Sequence, residues 1–532
     1  MYKRQGVTRI FGYPGVAISP FYEALYNAGT IEHVLVRQEQ AAGHAASGYA
    51  RISRKAAVCV TSSGPGATNL ITALATAYAD SIPLIAITGQ VNSNLLGRDV
   101  FQEADMRGST ESFVKYSYLV KSADDIPRIF KEAFYIASTG RKGPVLIDIP
   151  CDVQIDLLKK SFDYTSEVNI RGYKPSTKGN NPQMHKVVAA INKAKKPLIC
   201  AGGGVILGNG EECVRQFCEK NNIPLVTTMM GIGVMPKNHP LYFGMLGNNG
   251  KPYANRAVAN SDLLIIAGAR IADRAVPKPE NLEQQVNIIH IDIDTAEIGK
   301  NLGPTIPLVG DIKSIFDRLL QENISIDTTN WIETLQDIKK STVDHRVFSD
   351  KLVNPMLLVQ HLSEKMDDDA IYVADVGQNQ LWSADNYVMK NGRFLTSGGM
   401  GTMGYSIPAG IGAKMCTPDK QVVVVCGDGS FQMSMMELAT IMQHHIPVKI
   451  IVMKNNYLGM VREYQHYTYK DHYSVVDIKD GSPDLEKLSA AYNIPFIRVE
   501  NMSNAREKIQ AFLREDSTML MECLVDPMDL VK

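Results

Sequence analysis

The stretch from Gln421 to Met460, QVVVVCGDGSFQMSMMELATIMQHHIPVKIIVMKNNYLGM, limits most sharply what this chain can fold into. The apolar run Val422 to Val425 reaches Gly427-Asp428-Gly429, and a segment follows with Met435, Leu438, Ile441 and Met442 at helical spacing. Pro447 opens a second β-branched run, Val448 to Val452, which ends at Lys454-Asn455-Asn456. Strand, tight turn, helix and strand make one βαβ unit with both strand ends at the same edge of a parallel sheet. Ligands of open α/β sheets sit at that carboxyl edge. Glycines beside Asp428 let the backbone approach a phosphate closely, and a helix N-terminus favours the anion. A carboxylate at 428 and a neutral amide oxygen at 455 are also a donor set for Mg²⁺, which takes oxygen ligands and shares them with substrate phosphates. Gly-Asp-Gly alone equally fits an acid in a turn; Asn455, placed across a strand–helix–strand, turns the reading toward metal and phosphate.

The same grammar recurs along the chain and predicts an α/β protein of three Rossmann-like, doubly wound parallel-sheet units. The first, residues 1–155, alternates apolar runs at Thr8–Phe11, His33–Val36, Ala56–Val60, Pro83–Gly89 and Pro144–Ile149 with helical patterns. A polar stretch around Cys151 to Asn181 reads as a linker to a second unit, 182–322, which opens on Pro197-Leu198-Ile199-Cys200-Ala201-Gly202-Gly203-Gly204. Another polar stretch, Asn323 to Lys351, leads to the third unit, 352–532. The first and third units look like two versions of one plan. With 55 Lys+Arg against 56 Asp+Glu the net charge is −1, so neither nucleic acid nor an anionic membrane is an expected partner. Eight dispersed cysteines without a CxxC pair read as reduced core thiols, which favours a cytoplasmic protein. No apolar run approaches the ~20 residues of a membrane span. The start, MYKRQGVTRIFGYPG, enters a strand almost at once and carries no apolar signal core.

GDG followed by Asn resembles the diphosphate and metal motif of thiamine diphosphate (ThDP) enzymes. The longer context, GDGSFQM through PVKIIVMKNNYLGMVREYQ, resembles the large catalytic subunits of acetolactate synthases, and the likeness covers nearly the whole chain. By that resemblance Asp428, Asn455 and the backbone oxygen of Tyr457 would hold Mg²⁺. Gly427, Gly429 and Ser430, with Gln378 and Asn379 of Gly377-Gln378-Asn379, would hold the diphosphate. Gly401 and Met403, in Gly398-Gly399-Met400-Gly401-Thr402-Met403-Gly404, would meet the aminopyrimidine and prop the cofactor into its bent shape. VRQEQAAGHAASGYAR matches the segment whose glutamate faces the pyrimidine, which makes Glu39 the proton-handling carboxyl. Gly15, after the Tyr-Pro turn, falls among the cofactor contacts, and Gln102 in Phe101-Gln102-Glu103 lines the substrate channel.

The resemblance further implies pyruvate and a second 2-oxoacid as substrates, in branched-chain amino acid biosynthesis. It implies a catalytic homodimer or a dimer of dimers, because the two cofactor edges come from different subunits, and a small regulatory subunit as partner. The middle unit resembles a structural FAD-binding domain, with Arg270, Asp292 and Asp311 at matching positions.

Several positions depart from the family pattern. Asn379 replaces a histidine; Asn248-Asn249 and Ile271-Ala272 interrupt the flavin motifs; Val16, Gln38 and Tyr464 replace Gly, His and Trp near the acceptor channel. These last three motivate a related carboligase or decarboxylase with another acceptor, such as a keto-sugar. A non-catalytic nucleotide-binding protein is the reading from outside enzymology.

Overall fold

A computed structural model describes residues 5–276, 282, 286–303 and 305–531; the basic start at Lys3 lies outside the described residues. Among these residues the chain forms three six-stranded sheets whose paired strands all run parallel. In the first unit the strands are β1 (Arg9–Gly12), β2 (Glu32–Leu35), β3 (Ala57–Thr61), β4 (Leu84–Gln90), β5 (Tyr116–Leu119) and β6 (Val145–Pro150). The middle unit has β7 (Pro197–Ala201), β8 (Leu225–Thr227), β9 (Tyr242–Met245), β10 (Leu263–Ala267), β11 (Asn287–Asp292) and β12 (Ile306–Val309). The third has β13 (Ile371–Ala374), β14 (Arg393–Leu395), β15 (Val422–Gly427), β16 (Lys449–Lys454), β17 (Phe496–Val499) and β18 (Met519–Leu524).

The first sheet is ordered β2-β1-β3-β4-β6-β5 and the third β14-β13-β15-β16-β18-β17, which is the same order counted from each unit's own first strand. The middle sheet, β9-β8-β7-β10-β11-β12, has the dinucleotide-binding order. In each sheet the strand order reverses beside the unit's first strand, at β1/β3, β7/β10 and β13/β15. Crevices open there, outside the carboxyl ends of the strands.

The central strands are covered on both faces, which is why they read as unbroken apolar runs. Val422, Val423, Val424 and Val425 are all 0–1% exposed, and each contributes about 1.5–3 kcal/mol by leaving water. The helix Glu39–Ser53 packs against the helix Ser406–Cys416, so the outer units share one core. Two glycines set that approach. A Cβ on Gly48 would stand 2.0 Å from the Ala409 oxygen, and one on Gly412 would stand 1.8 Å from the Ala45 oxygen.

Two differences from the sequence reading have plain causes. The polar stretch 323–351 contains a helix, Thr329–Ser341. It forms because Trp331, Ile332 and Leu335 share one face and are buried against the middle sheet, with the Trp331 indole donating to the Pro197 oxygen at 3.0 Å. The helical segment after Gly427 is broken into Asp428–Gln432, a 3₁₀ turn Met435–Glu437 and Leu438–Gln443. Met433 N–H turns back to the Ser430 oxygen, which tightens and ends the first piece. The linker proper begins after a short helix, Cys151–Ile155. All eight cysteines are unpaired, and six are buried. Among the described residues no helix is long and apolar enough to cross a membrane.

Candidate active site

The crevice at β13/β15 collects most of the residues singled out in the sequence. Gln378, Asn379, Met403, Asp428, Asn455 and Tyr457 line one cleft, together with Gly427, Gly429 and Ser430. β15 ends at Gly427, and the helix Asp428–Gln432 starts there with Ser430 Oγ and Gly427 N–H bonded at 3.1 Å. Asp428 is buried, and burial pushes its carboxyl up to about 6. Its Oδ1 accepts Gly429 N–H at 3.1 Å and its Oδ2 accepts Asn456 N–H at 2.6 Å. Asn456 adopts φ +61°, the left-handed conformation asparagine tolerates, so it presents backbone to Asp428 while Asn455 presents a side chain.

The orientation of Asn455 is fixed by a short relay. Its Nδ2 donates to Gln378 Oε1 at 3.2 Å, and Gln378 Nε2 donates to Glu463 Oε2 at 2.7 Å. The Asn455 oxygen is left as acceptor, taking Tyr457 N–H at 3.0 Å. Gly459 is required for this closeness, since a Cβ there would stand 2.1 Å from Gln378 Oε1. Asn379 behaves differently from expectation. Its Nδ2 donates to the Asp375 oxygen at 2.8 Å and the Val425 oxygen at 3.2 Å, so its N–H groups face its own unit and its Oδ1 faces the glycine turns. The residues lining the cleft include no lysine, arginine or histidine, and Asp428 is the one formal charge among them. An oxygen pair in a cleft lined by no basic side chain fits Mg²⁺, and glycine N–H groups at a helix start fit a diphosphate.

Met403 reaches over this cleft, its Cε 3.5 Å from where a Gly429 Cβ would be. Gly401 stands nearby at φ +67°, a conformation that favours glycine. The turn carrying both is held by Asp375, a fully buried carboxyl whose pKa burial raises. Asp375 accepts Gly404 N–H at 3.0 Å and Ser406 N–H at 2.8 Å. Sequence reasoning missed it; Asp375 directly follows the apolar strand Ile371–Ala374, but Val376 follows it where Asp428 has a glycine.

A second cluster lies at the β1/β3 crevice, around the turn Ser62–Gly66. Gly15 packs on Ser62 (a Cβ would meet Oγ at 2.4 Å), and Gln102, at φ +60°, packs on Gly64. Glu39 packs on Gly66 and accepts Asn69 Nδ2 at 2.9 Å. Glu39 is the first residue of its helix, with Gln38 as the cap that accepts Ala41 N–H. None of these three residues lines the Asp428 cleft of the same chain. Val16 is 83% exposed and Tyr464 58% exposed.

The middle unit holds the third group. Burial raises the Asp292 carboxyl to about 6, and its Oδ1 accepts Asp294 N–H at 2.9 Å. Asp311 caps the helix Ile312–Leu319 through Ser314 N–H at 3.0 Å, and the Arg270 backbone oxygen accepts from Asn301. Glu297 Oε2 and His290 Nδ1 are buried there without partners.

Comparison with known proteins gives matches to three family profiles: thiamine pyrophosphate enzyme, N-terminal TPP binding domain, over residues 1–109; central domain, over 184–319; and C-terminal TPP binding domain, over 375–523. The chain is 43% identical to a protein of Methanocaldococcus jannaschii named probable acetolactate synthase large subunit, over 98% of this chain and 90% of the relative. It is 41% identical to the acetolactate synthase large subunit of Lactococcus lactis, over 98% and 91% of the two chains. A Mycobacterium tuberculosis acetolactate synthase large subunit is 42% identical, over 98% and 86%.

Proposed function

The chain belongs to the acetolactate synthase large-subunit family of thiamine pyrophosphate enzymes, and from that membership we propose how its residues divide the work. The activity is ThDP-dependent acetolactate synthesis: pyruvate is decarboxylated and its two-carbon remainder is joined to a second 2-oxoacid. ThDP, when bound, supplies the carbon acid that adds to the 2-oxoacid and takes up the electrons left by CO₂.

Everything else falls to the protein. Gly427, Gly429 and Ser430 hold the diphosphate, and Asp428, Asn455 and the Tyr457 backbone oxygen hold Mg²⁺. Gly401 and Met403 hold the pyrimidine. Glu39 keeps a proton at the pyrimidine ring nitrogen and Gln102 faces the substrate. The observation that carries this reading is the single cleft into which residues far apart in sequence converge, with the Asn455 oxygen turned out as an acceptor.

Because Glu39 lies outside that cleft, the reading requires a second copy whose β1/β3 edge completes it, giving a homodimer. The word "large" in the relatives' names supports a smaller regulatory chain as partner. FAD in the middle unit is supported by the dinucleotide strand order and by the two unpartnered buried atoms at Glu297 and His290. A cytoplasmic setting fits the six buried thiols.

A cleft without a basic side chain cannot neutralise a diphosphate unaided. Calorimetric titration of the purified protein with ThDP should show binding with Mg²⁺ and a loss of at least ~100-fold in affinity when the metal is chelated. Equal affinity without metal would refute the assignment of Asp428 and Asn455. A flavin absorbance in the same preparation checks FAD.

The second reading, a carboligase with another acceptor, rests on Val16 and Tyr464, which differ from the family pattern and are both exposed. Each methylene of difference in an acceptor pocket is worth ~1–3 kcal/mol of discrimination. A product survey across acceptors separates the two.

A further inference from the structure

The turn Ser397–Gly404 is gripped by all three units. A Cβ on Gly398 would stand 2.2 Å from the Met230 sulfur of the middle unit, and a Cβ on Gly399 2.7 Å from the Ala79 methyl of the first. Asp375 of the third unit holds the far end. The strongest hold from outside the third unit is Asp80. Its Oδ1 accepts Gly399 N–H at 2.7 Å and its Oδ2 accepts Gly398 N–H at 3.2 Å. Arg51 Nη2 donates to the same carboxylate at 2.6 Å, and the Asp80 side chain is 0% exposed. Beside it the Thr76 hydroxyl lies 2.7 Å from the Thr402 hydroxyl.

Charge explains the strength of this contact. A buried carboxylate is tolerated when it is paired and its remaining lone pairs are bonded, and bonds to an ionised acceptor are roughly twice as strong as neutral ones. Flexibility explains the need for it. Gly398, Gly399, Gly401 and Gly404 make the turn glycine-rich, so ordering it loses more backbone entropy than ordering a turn of the same length without glycine. Unless the fold orders this turn beforehand, a ligand must supply that free energy on binding.

We propose that Asp80 is a positioning residue for the pyrimidine half of the cofactor site. Through two backbone N–H groups the first unit fixes the turn of the third unit in the same chain, so that Gly401 and Met403 are in place before the cofactor arrives. This rests on the reading of that turn as the pyrimidine contact. The Asp80 carboxylate is held by Arg51 and reaches the cofactor site through Gly398 and Gly399 of the turn.

The test is Asp80→Asn, which keeps the size and one acceptor oxygen but loses the other. ThDP and inorganic diphosphate are titrated separately, each with Mg²⁺, into wild type and variant. The expected result is an increase of about tenfold in the Kd of ThDP, with the Kd of inorganic diphosphate within about twofold of wild type. Thr76→Val, which removes the hydroxyl pair with Thr402 together with the bond to the Thr72 oxygen of its own helix, should shift ThDP alone by a smaller factor, and it carries the test if the Asp80 variant does not fold. Parallel weakening of both ligands, or an unchanged ThDP Kd in both variants, would overturn the proposal. Wild type that binds ThDP no more tightly than inorganic diphosphate would overturn the pyrimidine reading, and the proposal with it.

Discussion

Glu39 takes its place from three neighbours: Gln38 caps the helix it opens, Gly66 leaves room beside it, and Asn69 donates to it at 2.9 Å. Replacing it by glutamine keeps the acceptor for Asn69 and removes the transferable proton. Glu39→Gln is therefore expected to lower kcat by about 10²–10⁴ while leaving ThDP and Mg²⁺ affinities near wild type; unchanged kcat would remove Glu39 from the chemistry. That Asp428 and Asn455 share one cleft was legible in sequence, because the βαβ pattern puts both strand ends at the same edge. A residue's role was less legible where the backbone competes for a side chain. Asn379 looked like a donor to the diphosphate, but two buried carbonyls that would otherwise lack partners take its N–H groups. Asp375 and Asp80 escaped notice because the loop N–H groups they accept, from Gly404 and Ser406 and from Gly398 and Gly399, lie 29 or more residues away, which no local pattern reveals.

At the scale of elements, the strands missed in sequence were β5, β9, β14 and β17, and all four are sheet edges. An edge strand needs only one side of pairing and mixed faces, so Tyr116–Leu119 and Phe496–Val499 lack the continuous apolar signature of β4 or β15. The β4/β6 pair carries a titration of its own. Asp148 on β6 accepts Thr88 Oγ1 at 2.6 Å and Gln90 Nε2 at 3.0 Å, and Gln90 also holds the Ala104 oxygen just beyond Gln102. Burial raises the Asp148 carboxyl from 3.8 to about 7. The native state thus takes up a proton that the unfolded chain does not, and stability from this group is complete below about pH 4 and lost as pH rises through about 7. Asp148→Asn cannot titrate, so the melting temperature of wild type relative to the variant should fall between pH 5 and 8. A difference independent of pH would show that Asp148 does not change charge in that window.

For the whole molecule, the sequence allowed two related outer units to be recognised, and their identical strand order accounts for it. The relation among units was not legible, because it depends on contacts hundreds of residues apart. Glu211 of the middle unit pairs with Arg54 of the first at 2.6 Å and Arg393 of the third at 2.8 Å, and Gly48 and Gly412 let the outer units' helices touch. These contacts fix each chain's β1/β3 edge away from its own Asp428 cleft. Mixed Glu39→Gln and Asp428→Ala subunits, each inactive alone, should then regain about a quarter of wild-type activity after random re-pairing, since half the dimers are hybrids with one intact site each. No recovery would mean that each chain forms its site alone.

The most direct check on the central assignment is product analysis after incubation with pyruvate, ThDP and Mg²⁺, with and without 2-oxobutyrate. The account predicts 2-acetolactate from pyruvate alone and the mixed 2-aceto-2-hydroxy acid when 2-oxobutyrate is added. Release of CO₂ with acetaldehyde and no acetolactate would contradict it.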